Sequence, residues 1–188
     1  MARARSPEKR DALLQAAVKE IAKSGLSAPT AQIARRAEVA TGTLFTYFAT
    51  KEDLLNELYL ALKGEVYGRL NAGFPHQGTL EERARHVWST VLDWAVEFPE
   101  KRKVSMQLNV SDVITAETRR KSALQRSSID ATLSELDSCG ATYGMPEGFA
   151  AAVMAAMQEA TMELVAKRPK QRKQLIQGAF QMFWRAFQ

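Results

Sequence analysis

Cysteine is almost missing from this chain. Cys139 stands alone among 188 residues, so no internal disulfide can form and nothing calls for an oxidising compartment. Histidine is nearly as scarce: His76 and His86 have no partner at metal-ligand spacing, and neither a phosphate-cradling glycine loop nor a nucleophile elbow accompanies them. Cys139 has no activating base close to it in sequence. No catalytic residue, metal site or cofactor is therefore expected, and an enzyme is the weakest of the readings weighed. No apolar run approaches the roughly 18 to 20 residues that span a bilayer. The basic N-terminus is followed by no apolar stretch, so no signal peptide is expected and the expected location is the cytoplasm. Internal repeats, low-complexity segments and convincing strand alternation are missing too.

What the chain does have is helical periodicity over an ordinary globular composition, 46% apolar and 25% charged. Its net charge of +5 favours a polyanionic partner without demanding one. The charge concentrates at Arg3, Arg5, Lys9 and Arg10, and again from Lys167 to Lys173. Ser6-Pro7-Glu8 reads as a helix start, with a capping hydroxyl, a proline at the first turn and an early acid. Leu13, Leu14, Ala17, Val18 and Ile21 follow at helical spacing to a stop at Gly25, predicting a helix from Pro7 to Ser24. Short helices are expected from Pro29 to Ala37 and from Thr41 to Tyr47. A longer one, capped by Thr50, follows to about Leu70. Further helices are expected over 81–97, from Pro99 through Leu108, over 116–138, over 147–167 and over 170–187, about nine in all.

The most informative stretch is Ile33 to Leu55, where a short helix, a tight turn and a second short helix lead into a longer one. That is the plan of a helix-turn-helix DNA reader. Thr41, Gly42, Thr43 and Thr46 are short enough to bring a helix close to base edges, and a threonine carries both a hydroxyl and a methyl for them. Leu44 and Phe48 should anchor the helix against Ile33 and the first helix. Tyr47 and Lys51 suit phosphate contacts.

An Ile-Ala pair, a small-residue turn, Gly42-Thr43-Leu44, aromatics flanking Thr46, then Phe48, Lys51 and Leu54 together resemble the DNA-binding domain of the TetR family of transcriptional regulators. The resemblance covers about residues 10 to 58. It implies an all-α fold: a three-helix helix-turn-helix head over residues 1–50 and a larger helical body over 51–188 that binds a ligand and dimerises. It also implies that Thr41, Gly42, Thr43 and Thr46 read bases, whereas Thr30, Phe45, Tyr47 and Lys51 touch the phosphate backbone. Three features depart from the pattern. Phe45 stands where the family commonly has a tyrosine and lacks the hydroxyl that reaches phosphate. Ala40 stands where a serine often caps the recognition helix, at a cost of about 1 kcal/mol. The segment between Gly25 and Ile33 is one residue shorter.

For the body, the expected interface between two copies lies on the last two helices, at Val153, Ala160, Leu164, Phe180, Phe183, Trp184 and Phe187. Alanines there permit close approach and the aromatics supply buried area. Expected pocket residues are Trp88, Val91, Leu92, Met106, Leu124, Met154 and Met157, because aromatic and methionine side chains line adaptable apolar cavities. The function expected is a homodimeric repressor that binds a palindromic operator in double-stranded DNA and is released by a small, mainly apolar effector. A regulator of the same fold without small-molecule input is the alternative.

Overall fold

The computed structural model describes residues 6–139 and 144–187, with the side chains of residues 127 and 128 left aside. Arg3 and Arg5 therefore lie outside the described residues. The described chain forms ten α-helices: α1 Pro7–Ser24, α2 Thr30–Arg36, α3 Thr41–Tyr47, α4 Lys51–Asn71, α5 Leu80–Glu97, α6 Pro99–Asn109, α7 Ala116–Ala123, α8 Ser127–Asp137, α9 Phe149–Lys167 and α10 Arg172–Arg185. A 3₁₀ turn over Pro169–Gln171 precedes α10, and no strand occurs among the described residues.

Two differences from the sequence reading have clear causes. The single helix expected over 116–138 is two, because the chain leaves helical geometry at Arg126 (φ −124°, ψ 25°), where α8 begins afresh. No glycine or proline marks that break. Leu124, expected to line a pocket, sits beside it and is 84% exposed. The second difference concerns α9. This 19-residue helix contains an 18-residue window with a mean hydropathy of 1.2, long and apolar enough to cross a bilayer, although no such run was expected. Much of that apolarity comes from alanine, and the helix packs against α5, α8 and α10.

The chain divides into two compact units. One takes the residues up to Glu65 together with Phe98–Ala123; the other takes Val66–Glu97 and the residues from Leu124 onward. In the first unit α1 packs on α2 and α6, and α2 on α3. Its core consists of Leu13, Ala17, Ile21, Ile33, Ala34, Leu44, Leu54, Val104 and Leu108, all fully buried. Ion pairs close its rim: Arg10 with Glu57, Lys101 with Glu65 at 2.6 Å, and Lys19 with Glu100 at 2.7 Å. These pairs are partly exposed, so each contributes about 0–1 kcal/mol at most; the apolar contacts hold the unit together.

The second unit is built on Trp88 of α5. The indole N–H donates to the Ile176 carbonyl at 3.1 Å. Its ring lies 5.9 Å from Phe180, edge-on, and 5.8 Å from Phe183, stacked. Phe187 joins Phe183 at 4.6 Å, and the Arg85 guanidinium lies over the Phe180 ring, 4.2 Å from its centroid. Arg172 pairs with Asp93 and Arg83 with Glu135, tying α10 and α8 to α5. Two helix starts are capped from side chains. Thr79 and Glu82 exchange bonds in a capping box at α5, and the Asp137 carboxylate accepts from the Gly148 and Ala150 amides, both at 2.7 Å, at α9.

Candidate nucleic-acid interface

Three elements of the first unit position the expected reading residues. α1 starts as its sequence suggests: the Ser6 hydroxyl accepts from the Lys9 amide and Gly25 (φ 78°) ends the helix. The Ser6 hydroxyl also donates to Glu8 and holds that carboxyl below the usual carboxylate range. The Ser6 amide, in turn, donates to the Tyr47 hydroxyl oxygen at 3.0 Å, across 41 residues of sequence. Tyr47 is therefore fixed to the start of α1 by an accepted bond, which leaves its own O–H available for an outside acceptor.

The turn between α2 and α3 is where sequence reasoning had least to work with. The Val39 amide donates to the Ala34 carbonyl and the Glu38 amide to the Arg35 carbonyl, with Glu38 at φ 57° between them. That is a Schellman cap, which normally places glycine in the left-handed slot. A glutamate there gives no sequence signal. Behind the turn, buried Glu20 pairs with Arg36 at 2.5 Å and links α1 to α2.

α3 is a seven-residue helix without a charged residue. Leu44 is fully buried and Phe48, just past its end, is 2% exposed, so both anchor it. Ala40 supplies no side-chain cap. Thr41, Gly42, Phe45 and Thr46 are exposed, while Thr43, Tyr47, Lys51 and, at the start of α2, Thr30 are partly buried. A methyl group built onto Gly42 would meet nothing within 4 Å. The Thr46 hydroxyl donates to the Gly42 carbonyl at 3.1 Å, a back-bond that the sequence did not reveal. Thr50 and Asp53 then cap α4 reciprocally, at 3.0 and 3.1 Å.

The expected interface and pocket residues are dispersed. Phe180 and Phe183 (each 1% exposed) and Phe187 (7%) are already core within the single chain. Leu164 is 42% exposed, Ala160 is exposed, and Val153 and Trp184 are partly buried. Met182, not anticipated, is 67% exposed. Among the pocket residues, Trp88, Leu92 and Met154 are buried and Val91 and Met157 partly so, all in the second unit. Met106 belongs to the first unit and is 39% exposed. No group of three or more His, Cys, Asp or Glu side chains among the described residues could hold a metal ion.

Comparison with known proteins matches the same segment. Residues 13–58 match the model of bacterial regulatory proteins of the tetR family. The fatty acid metabolism regulator protein of Bacillus subtilis (strain 168) is 33% identical over 72 residues, a match spanning 38% of this chain and 37% of that protein. Among solved structures, a proposed tetR family transcription regulator from Shewanella sp. PV-4 superposes with a TM-score of 0.83 at 26% identity, covering 97% of this chain and 98% of the other. A transcriptional regulator of Bacillus subtilis in complex with stearoyl-CoA shares the fold at a TM-score of 0.70 and 20% identity, over 92% of this chain and 96% of its own.

Proposed function

Because the chain belongs to the TetR family of transcription regulators, we propose that it is a homodimeric repressor acting on cytoplasmic DNA. It binds a palindromic operator, and a small, mainly apolar ligand releases it. The observation that carries this reading is α3: a helix anchored by Leu44 that leaves Thr41, Gly42, Phe45 and Thr46 exposed. Thr43 lies at the edge of that surface, with Thr30, Tyr47 and Lys51 in reach of the phosphates. A single such head touches few base pairs; a two-fold pair doubles the contacts on successive major grooves, about 34–36 Å apart. The proposed surface between copies is the exposed side of α9, from Val153 and Ala160 to Leu164, joined by Trp184 of α10. Phe180, Phe183 and Phe187 support that surface from within.

The ligand would be held in the second unit among Trp88, Val91, Leu92, Met154 and Met157. It acts by binding the DNA-competent and incompetent conformations with different affinity, since only that difference shifts their populations. The test is to incubate the purified ligand-free protein with fragmented DNA of its own genome at several salt concentrations and sequence what is retained. Enrichment of a palindromic site supports the repressor. Absence of sequence-selective binding at every salt concentration refutes it.

A further inference from the structure

We infer that α3 reads its operator chiefly through the C5-methyl groups of thymine, with Phe45 and the Thr46 methyl as the apolar surface that receives them. The inference rests on the DNA-binding reading above and says what that site recognises.

The exposed residues of α3 form one continuous face. At about 100° per residue, Thr41, Phe45, Gly42 and Thr46 follow one another around about 140° of the helix, with buried Leu44 on the other side. Phe45 thus lies beside Gly42 at the centre of the face that approaches the bases, and not at its phosphate-facing edge. It is 43% exposed and has no polar atom to offer a phosphate. The face carries no arginine, lysine, asparagine or glutamine, the side chains that form paired hydrogen bonds with guanine or adenine. Of the two hydroxyls on the face, that of Thr46 already gives its proton to the Gly42 carbonyl at 3.1 Å, and that of Thr41 stands at the opposite edge. What Phe45 and Thr46 present outward is an aromatic ring and a methyl group. In the major groove the complementary feature is the thymine methyl, which no other standard base carries. α3 itself is neutral, so the base-contacting surface contributes no acid to repel a duplex.

The operator isolated from genomic fragments supplies the probe. Synthetic duplexes with deoxyuridine replacing thymidine at one half-site position at a time, or at both symmetric positions, remove only the methyl and leave base pairing intact. The expected result at one or two positions is about 4-fold weaker binding for one methyl and about 15-fold for the symmetric pair. Phe45→Ala should bind the thymidine and deoxyuridine duplexes equally at its position. Thr46→Val, which keeps a methyl and loses the hydroxyl, should retain the discrimination, and Thr46→Ser should lose it. Should Phe45→Ala fail to fold, the deoxyuridine series on the wild-type protein decides alone. Selective binding that is unchanged within about twofold by deoxyuridine at every position overturns this inference and leaves the regulator standing. No selective binding to any sequence overturns the regulator, and this inference with it.

Discussion

Replacing Gly42 by alanine separates the folding of α3 from its use. Gly42 is the second residue of the helix, its φ is not positive, and an added Cβ would meet nothing within 4 Å. Nothing in the chain's own packing therefore requires glycine there. Alanine is the better helix former by about 0.5–1 kcal/mol, with the lower end appropriate to a first turn. For a chain of this size that stabilisation corresponds to a thermal midpoint raised by about 1–4 °C. On DNA the sign reverses. The new methyl stands at the centre of the exposed face, so a duplex seated there is pushed outward at each head. Loss of one good base contact costs about 1–3 kcal/mol, or about 5- to 150-fold in Kd, and a symmetric dimer incurs it twice. Thermal melting and fluorescence anisotropy with a labelled operator duplex measure the two effects independently. A variant that is more stable yet binds the operator within twofold of wild type would show that DNA does not approach at Gly42. A variant of lowered stability would refute the account of α3 itself.

Other substitutions test the remaining assignments. Lys51→Ala should weaken binding equally on operator and random DNA and reduce the slope of log K against log salt by about 0.9 per head; a loss confined to the operator would make Lys51 a base reader. Glu38→Gly should stabilise the protein by about 1 kcal/mol, because the left-handed backbone at φ 57° strains any residue with a Cβ. A urea titration showing no gain would mean that the glutamate side chain compensates locally. Phe183→Ala should cost about 3–5 kcal/mol, a midpoint lowered by roughly 6–20 °C, since the ring lies between Trp88 and Phe187. Leu164→Glu, on the exposed side of α9, should instead yield monomers by sedimentation with little change in helical content. If Phe183→Ala gave stable monomers, the aromatic cluster would be the interface and not the core.

Much of the candidate site was legible because its signals are local. Ser6, Pro7 and Gly25 bound α1 where the cap, the proline and the left-handed glycine each act within one turn of helix. Pro99 starts α6 in the same way, and the threonines of α3 stand on the helix that their spacing predicts. Glu38 was illegible because a Schellman cap holds it by backbone bonds alone, and its side chain is not the one that geometry favours. The Tyr47–Ser6 bond was equally hidden, since 41 residues separate donor and acceptor. The α7–α8 break carried no proline or glycine to announce it.

The division is sharpest for the aromatic residues of α10. Their helical spacing, read from sequence alone, established that Phe180, Phe183, Trp184 and Phe187 share an apolar side that something must cover. Periodicity cannot say whether a second copy or the same chain covers it. The fold places Trp88 of α5 against Phe180 and Phe183, so much of that side is satisfied within the chain itself. Sequence determines which face of a helix avoids water, because that depends on neighbours three and four residues away. Only tertiary structure decides what meets the face, because burial depends on residues, here nearly a hundred positions apart, that the chain brings together when it folds.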